Sequence, residues 1–213
     1  MENERKEFEK QMAVLSGQQE ERDRISADMH DELGSGVTSI RLMSEIVKSK
    51  MKTEYYPEID KISNSANELL GKMNTIIWTM KSSNDTLESL VAYIRAYAVE
   101  YFDTTPIKCT VEVNQIPEIE MTGEKRRNIF LGIKEALTNI LKHSQASQVH
   151  LNIEVVSGIL YVRIKDNGIG IDTSKLKRFG NGLNNMRRRM QTIHGEFTIE
   201  TNGGTLLCFA LPI

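Results

Sequence analysis

The sequence predicts an α+β chain in two parts: a two-helix hairpin over residues 1–84, then a two-layer α/β sandwich over residues 85–213. Three observations predict it. Through the first eighty residues apolar positions recur at alternating steps of three and four, the period of packed helices. From Lys108 onward several stretches alternate every second residue instead, as strands covered on one face do. Between the two patterns stands Ser82-Ser83-Asn84-Asp85, a short polar run with no periodicity of its own. A chain of 213 residues has room for two modest domains.

The first helix carries a heptad seam at Phe8, Met12, Leu15, Gln19, Arg22, Ser26, Met29, Leu33, Gly36, Ile40, Met43 and Val47. It is apolar at both ends and polar from Gln19 to Ser26. A break follows around Met51 to Pro57. The second helix has a cleaner seam: Ile59, Ile62, Ala66, Leu69, Met73, Ile76 and Met80. Two such helices joined by a short turn form an antiparallel hairpin with one apolar stripe left uncovered. Pairing two copies into a four-helix bundle buries that stripe, so the pattern predicts a homodimer.

In the second part, Thr86 to Phe102 reads as a helix with Asp85 or Thr86 as its cap. Lys108 to Asn114 alternates as a strand, and Thr122 opens a helix that runs to about His143. Val149 to Val155 and Leu160 to Ile164 are strands joined at Ser157-Gly158. Leu183 to His194 is helical, with Gly195 in the capping place. Phe197 to Thr201 and Thr205 to Leu211 form a hairpin around Asn202-Gly203-Gly204. The expectation is a set of antiparallel strands with the helices gathered on one face.

Composition excludes several classes. The chain is 39% hydrophobic and 26% charged, ordinary values for a globular protein, and its net charge of −2 gives no general affinity for nucleic acid or anionic lipid. No run of 18 apolar residues spans a bilayer, and the charged segment Met1 to Lys10 is not a secretory signal. Cys109 and Cys208 stand far apart in strand-like stretches with no metal-ligand spacing, which points to a reduced cytosolic setting and two small buried hydrophobes.

Four stretches carry the chemistry. The helix Asn128 to His143 sets Glu135, Asn139, Lys142 and His143 on one face, with Ile133, Leu137, Ile140 and Leu141 largely on the other. Asp166-Asn167-Gly168-Ile169-Gly170 ends a strand. Gly180-Asn181-Gly182-Leu183 leads into a helix, and Gly203-Gly204-Thr205 opens the last strand. One Gly-x-Gly alone is most often a turn; the four in this order are far more specific.

Residues 124–213 resemble the ATP-binding domain, of Bergerat fold, shared by histidine kinases, gyrase, Hsp90 and MutL. Lys134-Glu-Ala-Leu-Thr-Asn139 looks like its first box, Asp166-Asn-Gly-Ile-Gly170 its second and Gly180-Asn-Gly-Leu183 its third. Glu21-Arg-Asp-Arg-Ile25 with Met29-His-Asp-Glu-Leu33 resembles the phosphoacceptor helix of the nitrate-sensor and desaturase-sensor type of histidine kinase. The resemblance implies ATP and Mg²⁺ as cofactors. Asp166 would accept from the adenine amino group, and Gly168 and Gly170 would let backbone approach base and ribose. Asn139 would ligate Mg²⁺, and Gly180, Gly182 and Leu183 would present a helix N-terminus to the phosphates. Lys142 would neutralise phosphate charge, His143 borders the same face, and Thr205 would support Asp166 directly or through water.

His30 follows a seam residue and so points about 100° away from it, toward solvent. With the ATP-binding resemblance downstream it is the expected phosphoacceptor. Asp31 is the first candidate to orient or accept its proton, and Glu135 is the alternative base. His150 and His194 read as structural or solvent-facing. The resemblance implies phosphoryl transfer from His30 to an aspartate of a response-regulator receiver domain. The chain then reads as the cytoplasmic part of a membrane-anchored sensor, with the upstream sensor domain absent from it; a small soluble kinase is the second possibility. Kinases of this type often carry Gln where this chain has Ser35, which puts phosphatase activity in doubt. Gly34 and Gly36 cost the helix about 1 kcal/mol each relative to alanine, so either bending or close helix approach is expected there. A non-catalytic, ATP-gated dimeric interaction module is the competing reading.

Overall fold

The computed structural model describes residues 2–50, 56–171 and 182–213. The chain divides into two compact units, Met1–Asn84 and Asp85–Ile213.

The first unit is helical: α1 (Glu2–Asp28), a π-helical turn (Met29–Leu33), α2 (Gly34–Lys50), α3 (Pro57–Met80) and a 3₁₀ turn (Ser82–Asn84). Pro57 opens α3, where its fixed φ fits and its missing N–H costs nothing. The break near Met51 lies mostly at 51–55, outside the described residues. The helices run antiparallel, as three contacts with falling partner numbers show. Gly34 faces Met73, Ser63 Oγ donates to Glu45 Oε1 at 2.9 Å, and Lys48 Nζ lies 2.7 Å from Asp60 Oδ1. Gly34 answers a close approach, since a side-chain carbon there would stand 3.1 Å from Met73 Cε, whereas around Gly36 nothing lies within 4 Å.

The apolar seams divide. Ala66 and Met73 are buried within the hairpin, while Phe8, Met12, Leu15, Leu33, Ile40, Met43, Ile62 and Leu69 are each half exposed or more. Within one chain, nothing covers that stripe among the described residues.

The second unit runs α4 (Leu87–Asp103), β1 (Lys108–Val113), α5 (Gly123–Asn139), a second π-helical turn (Ile140–Ser144), β2 (Gln148–Val156), β3 (Ile159–Asp166), α6 (Gly182–Thr192), β4 (Glu196–Thr201) and β5 (Thr205–Pro212). Thr86 caps α4, its side chain accepting from Ser89 N, and Thr122 caps α5 by accepting from Lys125 N. Asp85, the other candidate cap, instead pairs with Arg126, a fully buried side chain on α5.

The sheet order is β1-β2-β3-β5-β4, and it is mixed rather than wholly antiparallel as expected. β1 pairs parallel with β2 from Lys108↔Gln148 to Val113↔Ile153. A parallel pair needs a crossover between its strands, and α5 supplies it. Alternation builds the core: Val149, Leu151 and Ile153 of β2, Leu160, Val162 and Ile164 of β3, and Leu207, Phe209 and Leu211 of β5 are all buried. Each such side chain contributes about 1.5–3 kcal/mol on burial. A second correction concerns the end of α6. The left-handed residue is His194, at φ 59°, not Gly195. Gly195 donates its N–H to Met190 O at 2.8 Å and is pressed against Met190 and Ala210.

Candidate functional site

The alternation that builds the core also builds the site. Leu160, Val162 and Ile164 point into the core, and the next residue on that face is Asp166, 2% exposed. A carboxylate thus stands where an apolar side chain would continue the row. On β5, Thr205 begins the row continued by Leu207, Phe209 and Leu211, and it too is buried. Lys165 pairs with Leu206, so Asp166 and Thr205 fall side by side at the sheet's end.

A cavity of 520 Å³ opens there, between the sheet's end, the C-terminal part of α5 and the start of α6. This is a usual size for a small-molecule site. Glu135, Asn139, Lys142, His143, Asp166, Gly170, Gly182, Leu183 and Thr205 all line it. Apolar walls come from Ala136, Ile140, Ile169 and Leu207, none of which was singled out as a site residue. Leu207 was within reach, two positions beyond Thr205 on the same strand face. Ile140 was expected on the sheet side of the helix and Leu141 with it. Ile140 is buried as expected, at the cavity wall one turn after Ala136, whereas Leu141, within the π-helical turn, is exposed.

At Gly168 a side-chain carbon would collide with the Ser144 carbonyl. Ile169 N donates to Ser144 O at 2.9 Å, and Gly168 N donates to Asp166 Oδ1 at 2.8 Å. Neighbouring Asn167 fastens the same corner, accepting from Ser147 N and Gln148 N at 2.9 Å each and donating to Ser147 Oγ. Gly182 sits where a side-chain carbon would collide with Glu135 Oε1 and stand 3.4 Å from Asn139 Nδ2. The start of α6 is therefore laid directly on the polar face of α5. Gly180 lies outside the described residues.

Arg189 escaped sequence reading. It is half-buried on α6, and its Nη1 donates to Asn128 Oδ1 at 3.4 Å. Burial, then Arg127 and Arg188, lower its pKa, while Glu135 acts in the opposite direction. The Arg187-Arg188-Arg189 run was the signal available.

In the helical unit, His30 lies within the first π-helical turn with its side chain 69% exposed. Its Nδ1 is 3.0 Å from Asp31 Oδ1. With its proton on Nδ1 the ring donates to this carboxylate and leaves Nε2 with the lone pair. Ser35 Oγ donates to the Asp31 carbonyl at 2.7 Å. His150 Nε2 lies 3.4 Å from Glu112, and His194 occupies the left-handed turn after α6.

Two family descriptions match this arrangement. Residues 124–213 match the "Histidine kinase-, DNA gyrase B-, and HSP90-like ATPase" family, and residues 21–85 match "Histidine kinase". The chain belongs to the histidine kinases. The histidine kinase is 29% identical over 209 residues to the signal transduction histidine-protein kinase/phosphatase DegS of Brevibacillus brevis, covering 95% of this chain and 54% of that one. It is 30% identical over 199 residues to the sensor histidine kinase DesK of Bacillus subtilis, covering 91% of this chain and 51% of that one. The chain thus spans about half the length of these relatives. The histidine kinase domain of the Erythrobacter litoralis EL346 blue-light activated kinase shares its fold, with a TM-score of 0.56 and 22% identity over 91% of this chain and 93% of that one. Residues 124–213 of this histidine kinase are its ATP-binding part. No described helix is long and apolar enough to cross a membrane.

Proposed function

We propose that this chain is a kinase core that moves the γ-phosphoryl group of ATP to His30 and then to an aspartate of a response-regulator receiver domain. The observation that carries the reading is the His30–Asp31 pair: an exposed imidazole whose Nδ1 lies 3.0 Å from a carboxylate oxygen. Nε2 attacks the γ-phosphorus, the bond from that phosphorus to the bridging oxygen breaks, and ADP leaves with the electron pair. Positive charge that develops on the ring is met at Nδ1 by Asp31. Glu135 of α5, packed against the start of α6, is the alternative base.

Asp166 sets a buried carboxylate beside the apolar walls of the cavity, the arrangement that selects adenine by its amino group. Lys142 and His143 supply positive or donor groups at the phosphate end, and Gly182 and Leu183 place the N-terminus of α6 beside it. The residues present fit a nucleotide with its metal: the Asn139 carboxamide oxygen would hold Mg²⁺, whose charge offsets that of the phosphates. Residues 1–84 act as the dimerisation and phosphotransfer part and residues 85–213 as the catalytic part. The exposed seam from Phe8 to Met43 supports a homodimer that closes a four-helix bundle. The chain works in the cytoplasm, as the inner part of a membrane-anchored sensor.

Incubation with γ-labelled ATP and Mg²⁺ tests the reading. Label that is acid-labile and base-stable is phosphohistidine. Tight nucleotide binding without any label would favour an ATP-gated interaction module instead.

A further inference from the structure

The polar interruption of the first seam, Gln19 to Ser26, is left over by the function proposed above, yet Arg22, Asp23 and Ser26 all reach the end of α3 or the turn after it. Ser26 Oγ donates to Ile77 O at 3.2 Å and Arg22 Nη2 to Thr79 O at 3.4 Å, so two of the last carbonyls of α3 are met from α1. Asp23 reaches further. Its Oδ1 accepts from Ser82 N at 2.8 Å and its Oδ2 from Ser82 Oγ at 2.6 Å. Ser82 begins the 3₁₀ turn whose last residue, Asn84, is followed by the first residue of the ATP-binding unit. Asn84 folds back as well, with N donating to Lys81 O and Nδ2 to Trp78 O.

Upstream of Arg22 every described residue of α1 is exposed, and Arg22 and Asp23 are the first half-buried ones. Asp23 therefore stands where α1 first engages α3, and seven residues before His30, about 10 Å along the axis. We propose that Asp23 and Ser82 form a releasable clasp that restrains the segment leading into the ATP-binding unit, so that displacement of α1 frees this segment and speeds phosphoryl delivery to His30. The consequence for delivery rests on the kinase reading; the clasp itself does not.

The geometry gives the scale. Three residues in a 3₁₀ turn rise about 6 Å, and the same residues extended reach about 10 Å. Release thus adds roughly 4 Å of reach, which matters for a transfer that needs reacting atoms about 3–3.5 Å apart. The clasp is mechanical rather than pH-driven. The Ser82 hydroxyl and amide hold the Asp23 carboxyl below the ordinary aspartate range, so it is charged at any physiological pH.

Hydrogen exchange at residues 82–84 and initial rates of labelling from γ-labelled ATP, on the full chain, test this. Asp23→Ala is expected to speed exchange there roughly ten-fold or more and to raise the labelling rate several-fold at unchanged KM for ATP. Ser82→Ala, which keeps the amide bond, has a smaller effect that vanishes in the Asp23→Ala background. Arg24→Ala is the control, since Arg24 bonds only Glu21 and Asp28 and both readouts stay at the parent value. Unchanged exchange in Asp23→Ala would overturn the clasp. Faster exchange with an unchanged or slower labelling rate would make it a structural tie and overturn the coupling. A parent that takes no label refutes the kinase reading, while the exchange arm still decides whether the clasp exists.

Discussion

Gly182 and Glu135 are in direct apposition: the first residue of α6 leaves no space for a side-chain carbon between itself and the Glu135 carboxylate. Gly168 is equally tight, but against the backbone carbonyl of Ser144. A carboxylate can swing aside and a carbonyl in a fixed corner cannot. Gly182→Ala is therefore expected to fold with parent-like stability and to lose phosphoryl transfer, because Glu135 and Asn139 are displaced together. Gly168→Ala is expected to lose about 1–3 kcal/mol of stability or more. Thermal unfolding and labelling rates on the two variants check the contrast; equal stability losses would contradict it.

Asp166 is a buried carboxylate on the cavity wall. Asp166→Asn exchanges a charged acceptor for a neutral amide, and a hydrogen bond to a charged group is worth about 1.5–3 kcal/mol. ATP affinity should fall roughly ten- to hundred-fold. Asn139→Ala should spare metal-free binding and cripple Mg²⁺-dependent transfer. Titrations with ATP, with and without Mg²⁺, read both; parent-like Mg-ATP binding by both variants would contradict the pocket assignment.

How much of this was legible in sequence follows from which interactions are local. The α5 face was legible because Glu135, Asn139, Lys142 and His143 obey helical spacing even across the π-helical turn. The same turn defeated the reading of Leu141, since spacing arguments assume 3.6 residues per turn. Asp166 was legible from its motif, but the reason for Gly168 was not. That glycine answers to Ser144, 24 positions earlier, and only the fold brings the two together. The parallel β1–β2 pair was missed because alternation reports a covered face and is silent on strand direction. The Gln19 to Ser26 interruption looked like a weak seam until α3 supplied its partners.

Arg126 is fully buried and its guanidinium meets the Asp85 carboxylate, which is 24% exposed. Removing the carboxylate from a buried pair costs about 3–5 kcal/mol, and the partial exposure of Asp85 places this pair at the lower end. Asp85→Asn should lower the unfolding temperature clearly more than Arg126→Met, which removes the buried charge itself. The reverse order in thermal unfolding would contradict this account of how the second unit is entered.

Ser35 donates to the Asp31 carbonyl one turn back, so its hydroxyl is bound to the helix rather than extended beside Asp31. Holding a water in line for attack on a phospho-aspartate needs a side chain that reaches it. The chain should therefore be a poor phosphatase, and Ser35→Gln should raise the rate at which the cognate phospho-regulator decays. Robust decay with the parent, slowed by the longer side chain, would contradict this.

The central claim is that His30 accepts the phosphoryl group, and one experiment reads it directly. The parent and His30→Gln are incubated with γ-labelled ATP and Mg²⁺, and the stability of any label to acid and base is measured. His30 is exposed, so its replacement removes little packing, and nucleotide binding and dimerisation should persist. The account predicts acid-labile, base-stable label on the parent and none on His30→Gln. Label retained by His30→Gln would contradict it.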